Sequence, residues 1–493
     1  MRSWSTIVAI LPLYPVLFQV QAQDQQGSGS PYSAYGFGTQ SSSTQVAQGL
    51  MGLSGVALYD PFSVVRVNPA TYASLGRPVF ETGAGYRFVR FSDERQQASG
   101  SRFDLLGFSL GIPFGGKAWG LALGLNPVSQ VGYTLKDSRP LDDGQGKAEL
   151  VYTGTGGLSR AWAGLAHRVW LRSDTARTPM SLDLGVNFEF VFGNVESSRK
   201  AYYTAGQGYY DNAVVGNLVV NAPLVNTGMQ YTAQVYAGAK RENDLKARIR
   251  EAQRRDSAHA ANWVAAGKDP TARQVRRIPR MRDLDAWRVR VGAAVESGYE
   301  LAARAEEFAY LFLLGGRGLE TILDTVRFVQ GTRGGIQVPV RLAAGVSVYD
   351  ARWTFSAEYS HRDWTQLTTD LEGLRLRDQL GMASTLAFGA SLKPAGRSSG
   401  GFHRTVTYRA GVRHTSDYLV VDGRGLEEIG MAFGISAPLF NRQTRSRFNI
   451  GMELGEYGTT ENSLVRQRFA NVMFGITITP DLREPWMQKR RID

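Results

Sequence analysis

The sequence predicts an all-β fold: a transmembrane antiparallel β-barrel of about fourteen strands, with an N-terminal hatch and a basic, partly helical insert at a periplasmic turn. Three observations predict it. Residues 1–22 are laid out like a secretory signal. From residue 79 onward the chain alternates, and one phase is consistently apolar. These alternating runs last about ten residues, the length a tilted strand needs to cross a bilayer, against ~5–6 in globular sheets.

Composition narrows the function classes. Gly is 56 of 493 residues and Cys is absent, which excludes disulfide scaffolds, thiolate zinc sites and cysteine nucleophiles. The five histidines (His167, His259, His361, His403, His414) show no paired ligand spacing, so no metal and no cofactor is expected. After residue 22 no uncharged apolar run is long enough for a helical span.

In the first segment, Arg2 precedes an apolar stretch from Trp4 to Val20, and Val20-Gln21-Ala22 puts small residues at −3 and −1 of a cleavage site. Residues 23–77 follow, of which 27–77 is rich in Gly and Ser and too weakly hydrophobic for an independent domain. They are expected to plug the barrel, because a lumen of this size must be filled or gated.

Residues 78–480 make the barrel. Leu182, Leu184, Val186, Phe188, Phe190 and Phe192 alternate with Ser181, Asp183, Gly185, Asn187, Glu189 and Val191. Trp353, Phe355, Ala357 and Tyr359, then Phe448, Ile450, Met452 and Leu454, form similar rows. Successive strand side chains point to opposite faces, so each segment has a greasy and a polar side. The polar phase carries Arg341, Arg409, Arg413, Glu189, Glu358 and Glu453. A sandwich core could not bury such charges unpaired, whereas a wet lumen can pair them. Gly185, Gly411, Gly451 and Gly475 on that phase suit strands curving about an axis.

The strands are expected near 79–90, 102–112, 118–134, 149–168, 181–193, 226–239, 287–300, 335–349, 352–362, 382–393, 405–415, 427–438, 446–457 and 467–479. With both chain ends in the periplasm, the short turns near Pro113–Lys117, Asp350–Ala351, Pro394–Arg404 and Asn441–Arg445 fall on that side. The stretches 194–225, 301–334 and 363–381 become outer connections, and Leu301–Gly315 admits a helix in place of a strand. Residues 240–288 hold 14 Lys/Arg against 7 Asp/Glu, and Asp244–Ala266 is made of good helix formers. This insert is either a solvated helical excursion or a docking surface for an anionic partner: lipid headgroups, peptidoglycan or another envelope protein. A basic tail, 481–493, ends the chain.

Met51-Gly-Leu-Ser-Gly-Val-Ala-Leu-Tyr-Asp60, then Asn68-Pro69-Ala70 just ahead of the first strand, resembles the long-chain fatty-acid transporter (FadL) family. Gly154-Thr-Gly-Gly-Leu158, Leu184-Gly-Val-Asn187 with Phe192-Gly193, and the basic ending from Trp486 are similar to further pieces of that family. The resemblance implies that the N-terminal segment folds into the barrel as a hatch, and that a kinked third strand opens a lateral gap for hydrophobic substrates. Asn126-Pro127 stands in the third strand here. Proline cannot donate to a ladder, so it marks either a side door or an ordinary rim bulge. The insert departs from the family, in which a short turn joins strands six and seven.

Gly111-Ile-Pro-Phe-Gly-Gly116-Lys117 has phosphate-loop spacing, but Ala118 replaces the Ser/Thr that would hold magnesium. No Ser/His/acid cluster can be assembled from spacing, so no catalysis is expected. The expected function is a porin-like outer-membrane channel in a Gram-negative cell, set in the lipid bilayer. It would take up hydrophobic small molecules passively, with lateral exit near Asn126 and Pro127. The alternative is a non-transporting subunit of an outer-membrane secretion or assembly complex, contacting other envelope proteins through 240–288. Nucleic acid does not fit a secreted barrel. An apolar tunnel would favour transport, and a lumen sealed by Arg–Glu pairs the structural role.

Overall fold

The computed structural model describes residues 29–41, 45–94, 96–141, 146–172, 178–203, 209–236, 239–266, 286–315, 319–371, 380–396, 401–439 and 446–480. The expected signal segment 1–22, the basic tail 481–493 and the second half of the insert lie outside these residues.

Fourteen antiparallel passes form one closed sheet. They are β1 (Val79–Ser92), β2 (Gln97–Phe114), β3 (Trp119–Pro140), β4 (Lys147–Arg172), β5 (Met180–Tyr203), β6 (Asp211–Tyr236), β7 (Trp287–Glu296 and Tyr299–Leu314), and β8 (Glu320–Val338 and Arg341–Tyr349). The rest are β9 (Trp353–Asp363), β10 (Met382–Leu392), β11 (Thr407–Val421), β12 (Arg424–Pro438), β13 (Arg447–Tyr457) and β14 (Arg466–Ile478). Closure comes from β14 pairing with β1, from Arg466↔Ser92 to Ile478↔Phe80. Closing the sheet on itself leaves no free outer edge between its first and last strands.

The alternation sorts as physical chemistry requires. Phe188 is 68% exposed on the outer surface while its neighbour Glu189 is 3% exposed inside. Trp353, Phe355, Tyr359 and Leu454 also face out. The outer apolar belt meets lipid, and the inner phase meets the plug.

Strand lengths divide the barrel into two sides. β9, β10 and β13 have 11 residues each, enough for one bilayer crossing. β3 to β6 have 22, 26, 24 and 26, so they rise well past the rim away from the chain ends. The upper segments of β7 and β8 rise with them, pairing from Glu320↔Leu314 to Val338↔Tyr299. The expected outer connections 194–225 and 301–334 are therefore largely strand. Leu301–Gly315 is not helical despite its Ala, Glu and Leu: Tyr299–Leu314 is held between β6 and β8, and ladder pairing on both sides overrides local propensity.

The insert contains a helix, Ala239–Ala265, supported by Lys246–Glu242 at 2.8 Å and Arg255–Glu251 at 2.6 Å, each one turn apart. At its base Leu245 and Ile249 pack on Ala286, where β7 begins.

Candidate functional site

The site is the plugged lumen and the seam in the wall beside it. The plug, from Gly29 to the start of β1, has almost no regular structure. Its buried turns run through Val46–Gly49 and the 3-10 helix Pro69–Ser74. Lacking ladders, its backbone groups need side-chain partners from the wall. Glu358 accepts from Gly55 N at 2.6 Å and Val56 N at 2.8 Å. Glu81 accepts from Val64 N at 2.7 Å.

Asn68 caps the 3-10 helix, its Oδ1 accepting from Ala70 N at 3.0 Å. Its Nδ2 donates to Val56 O at 2.7 Å and to Met229 O on β6 at 3.1 Å. Pro69 and Ala70 lie against Gly185 and Gly228. The inward glycines therefore have a tighter purpose than barrel curvature. A Cβ on Gly228 would reach within 2.9 Å of Pro69 Cδ, and one on Gly475 within 2.8 Å of Val46 Cγ2. They make room for the plug, its side chains here and its main chain at Gly185.

Charge is paired throughout the lumen, Arg168 holding Asp183 at 2.6 Å. Arg66 of the plug reaches Glu189 at 3.1 Å. Arg160 joins Glu189 and Glu296 at 2.8 Å each, and Arg362 completes the chain on Glu296. Asp60 sits between Arg409 at 3.2 Å and Arg447 at 3.1 Å, and Arg413 bridges Glu428 and Glu453. Of the charges expected in the lumen, Glu189, Glu453, Arg409 and Arg413 enter these ion pairs, Glu358 holds the plug amides, and Arg341 lines the cavity above the plug. Sequence reasoning missed Asp60, Arg66, Arg160, Arg168, Glu296, Arg362, Glu428 and Arg447. Arg160 and Glu296 share the inward phase of their strands, a signal that was available; Asp60 and Arg66 lie in irregular chain, where no period exists.

Burial disfavours the Asp60 carboxylate, but Arg447 and Arg409 outweigh it and hold its carboxyl below the usual range. A depressed acid contributes stability that is complete above its unfolded value of about 3.9 and disappears as pH falls through the lower folded value. Protease protection of the plug should therefore persist at pH 5 and weaken below about pH 3.9. Asp60→Asn should remove most of that acid dependence.

The wall is interrupted beside the plug. β2 and β3 pair only from Phe108↔Leu125 to Phe114↔Trp119. The ladder stops at Asn126 and Pro127, and a bulge follows against β4 between Pro127 and Ser129. Gly107 at φ +87° marks the matching irregularity in β2. Above this point the plug supplies the missing neighbour: Thr39 and Gln40 pair with Gln130 and Ser129, and Ser41 N donates to Val128 O at 2.8 Å. Asn126 pins the point of divergence, donating to Leu106 O at 2.8 Å and accepting from Trp162 Nε1 at 2.7 Å. Asn126→Ala would strand both groups in a buried place and should cost about 1–3 kcal/mol, measurable as a lower urea midpoint in detergent micelles.

A cavity of ≈ 290 Å³ lies over the plug and reaches the seam at Leu106, Val128 and Ser129. Phe37, Tyr299 and Trp364 give it apolar patches, but Arg87, Arg102, Arg341, Glu296 and Glu428 share the wall. Arg87 Nε, Asn471 Oδ1 and Thr39 Oγ1 are buried there without a protein partner among the described residues. Such a lining suits water better than an alkyl chain. Beneath it, Leu50, Met51, Val56 and Val64 of the plug are fully enclosed.

A family model described as BamG matches residues 6–268 and 284–493, whereas the short motifs quoted above point to the fatty-acid transporters. No curated protein matches the sequence. Among solved structures, the toluene transporter TbuX of Ralstonia pickettii is similar at 14% identity and TM-score 0.49, covering 89% of this chain and 98% of its own. The toluene transporter TodX of Pseudomonas putida is similar at 14% identity and TM-score 0.46, with the same coverage. A FadL homologue from Pseudomonas aeruginosa shares 12% identity at TM-score 0.47, again over 89% and 98%.

Proposed function

Because the chain belongs to the BamG family, we propose that it is a non-transporting accessory subunit of the β-barrel assembly (BAM) complex in the outer membrane of a Gram-negative cell. The observation that carries this reading is the sealed lumen. Arg66, Arg409 and Glu358 tie the plug to the wall from several sides, and the remaining cavity has a charged lining rather than an apolar passage. The rim bearing the chain ends then faces the periplasm, where the insert helix projects and offers a basic contact surface. The tall wall of β3 to β8 stands outside the cell. The barrel acts as a scaffold and performs no catalysis.

One feature favours a second reading, passive uptake of hydrophobic small molecules with lateral exit: the cavity touches the seam between β2 and β3. Two measurements separate the readings. Mild detergent extraction of the tagged full chain should recover BAM subunits in fixed proportion, and a chain purified alone would sink the accessory role. Deleting 240–285 should reduce that recovery while leaving solute uptake unchanged. If uptake of aromatic hydrocarbons instead fell on adding the barrel-blocking change Val128→Trp, transport would be the function.

A further inference from the structure

At the closure of the barrel the outer surface changes from apolar to cationic in a single step. On β1 the outward phase runs without a charge from Phe80 to Phe88, and on β14 from Ile478 back to Ala470. Each run spans nine residues, close to what one tilted bilayer crossing needs. The next outward residue is Arg90 on β1 and Arg468 on β14. On β13 the same step leads from Leu454 to Glu456. With the chain ends in the periplasm, this row stands at the outer-leaflet surface of the lipid belt.

The register sets like charges against each other. Arg90 and Arg468 are direct cross-strand partners, an arrangement that destabilises a sheet unless an anion offsets it. Arg468 reaches Glu456 at 2.8 Å, and Arg466, one row higher, approaches the same carboxylate at 4.0 Å. Arg90 makes no hydrogen bond or ion pair among the described residues, and Arg466 Nε is buried without a partner among them. Three guanidinium groups thus share one carboxylate. The other acids of this rim are engaged in their own contacts or make none here. Asp93 accepts from Gln96 N inside its turn, Glu427 faces His414 at 3.4 Å, and Glu461 holds Arg424. Glu94, at the tip of the β1–β2 turn, makes no ion pair with these arginines among the described residues.

Charge and position together identify the missing anion. Directly below the arginines stands a column of lipid-facing rings, in which Phe88 is 51% and Phe474 41% exposed. A lipid whose acyl chains cover that column brings its headgroup to the arginine row. Guanidinium groups suit phosphate there, since their planar fork meets two phosphate oxygens at once. Ser99, opposite Arg90 on β2, adds an exposed hydroxyl on the flank. The outer leaflet of a Gram-negative outer membrane carries its phosphates on lipid A. We infer that Arg90, Arg466 and Arg468 form a binding site for a phosphate of lipid A, with acyl chains lying over Phe88 and Phe474. The site depends on the outer-membrane placement and orientation proposed above. It does not depend on whether the barrel transports or assists assembly.

The test uses the purified full chain in a phosphate-free detergent. Added lipid A should raise its melting temperature, as any ligand of the folded state does. Arg90→Gln with Arg468→Gln should increase the lipid A concentration needed by roughly tenfold. Without lipid, that double variant should melt no lower than the parent, because a like-charge pair is gone. Arg424→Gln, which removes a cation already paired with Glu461, should respond as the parent does. Dephosphorylated lipid A and inorganic phosphate should each leave the parent unchanged. An equal response to dephosphorylated lipid A would reduce the contact to apolar packing, and an equal response to inorganic phosphate would make it a general anion site. An undiminished response in the double variant would put the lipid elsewhere on the barrel. Any of these three results overturns the inference. Orientation has its own check: the chain has no Cys, so Glu94→Cys should react with a membrane-impermeant maleimide on intact cells. A thiol that reacts only after the cells are broken would place the arginine row on the periplasmic side and overturn the site as well.

Discussion

Arg160→Met should destabilise the barrel by about 3–5 kcal/mol, the usual penalty for removing one member of a buried ion network. Arg160 is 4% exposed and satisfies Glu189 and Glu296 at once. Methionine fills similar volume but leaves two buried carboxylates facing each other without the cation between them. Arg66 and Arg362 each retain one of them, so the damage stops short of abolishing the fold. The measurement is the temperature at which the folded, fast-migrating form converts to the unfolded form on a gel. The combination Arg160→Met, Glu189→Gln and Glu296→Gln should recover much of the loss, because no charge is then stranded. If the single variant melts like the parent, the network contributes nothing to stability.

The second large effect concerns the seating of the plug. At Gly411 a Cβ would collide with the main chain of Met51 and Gly52. Gly52 has φ +67°, so this turn of the plug cannot be re-formed by an ordinary residue in another shape. Overpacking of this kind typically costs about 1–3 kcal/mol, and here the wall is rigid, so the plug must yield. Gly411→Val should insert into membranes and still show ion conductance in planar bilayers well above the parent's closed level. A protease added to the detergent-solubilised variant should cut within residues 45–78, which the parent protects. A variant that is folded, silent and protected would mean that the plug is not the seal.

The two sites differ in how far they could be read from the chain. Barrel strands were legible because a membrane enforces a strict pattern: every second residue from Leu182 to Phe192 must tolerate lipid, and no other arrangement of that run does. The inward glycines were legible as positions but not as purpose, since the groups they accommodate lie hundreds of residues away in the plug. Glu358 shows the same limit. Its inward orientation follows from alternation with Phe355 and Tyr359, yet its partners are the amides of Gly55 and Val56, which no spacing rule connects. Strand ends were hardest. Segments 194–203, 211–225 and 299–314 extend past the length of one bilayer crossing, and long-range ladders hold them extended.

The pairing of β14 with β1 sets an order of events for biogenesis. The plug precedes β1 in the chain, yet it ends enclosed by a cylinder that only the last strand can shut. Once that final ladder has zipped, the inward glycines that fit closely against the plug leave little room for a folded segment to thread in. The N-terminal stretch must therefore already be lodged among the nascent strands, and its salt links at least partly made, before the two ends of the sheet meet. With contacts that span nearly the whole polypeptide, such a route is intrinsically slow, and an open sheet left waiting at the membrane surface would invite misassembly. A plugged barrel of this design is thus itself a demanding client for whatever machinery inserts barrels.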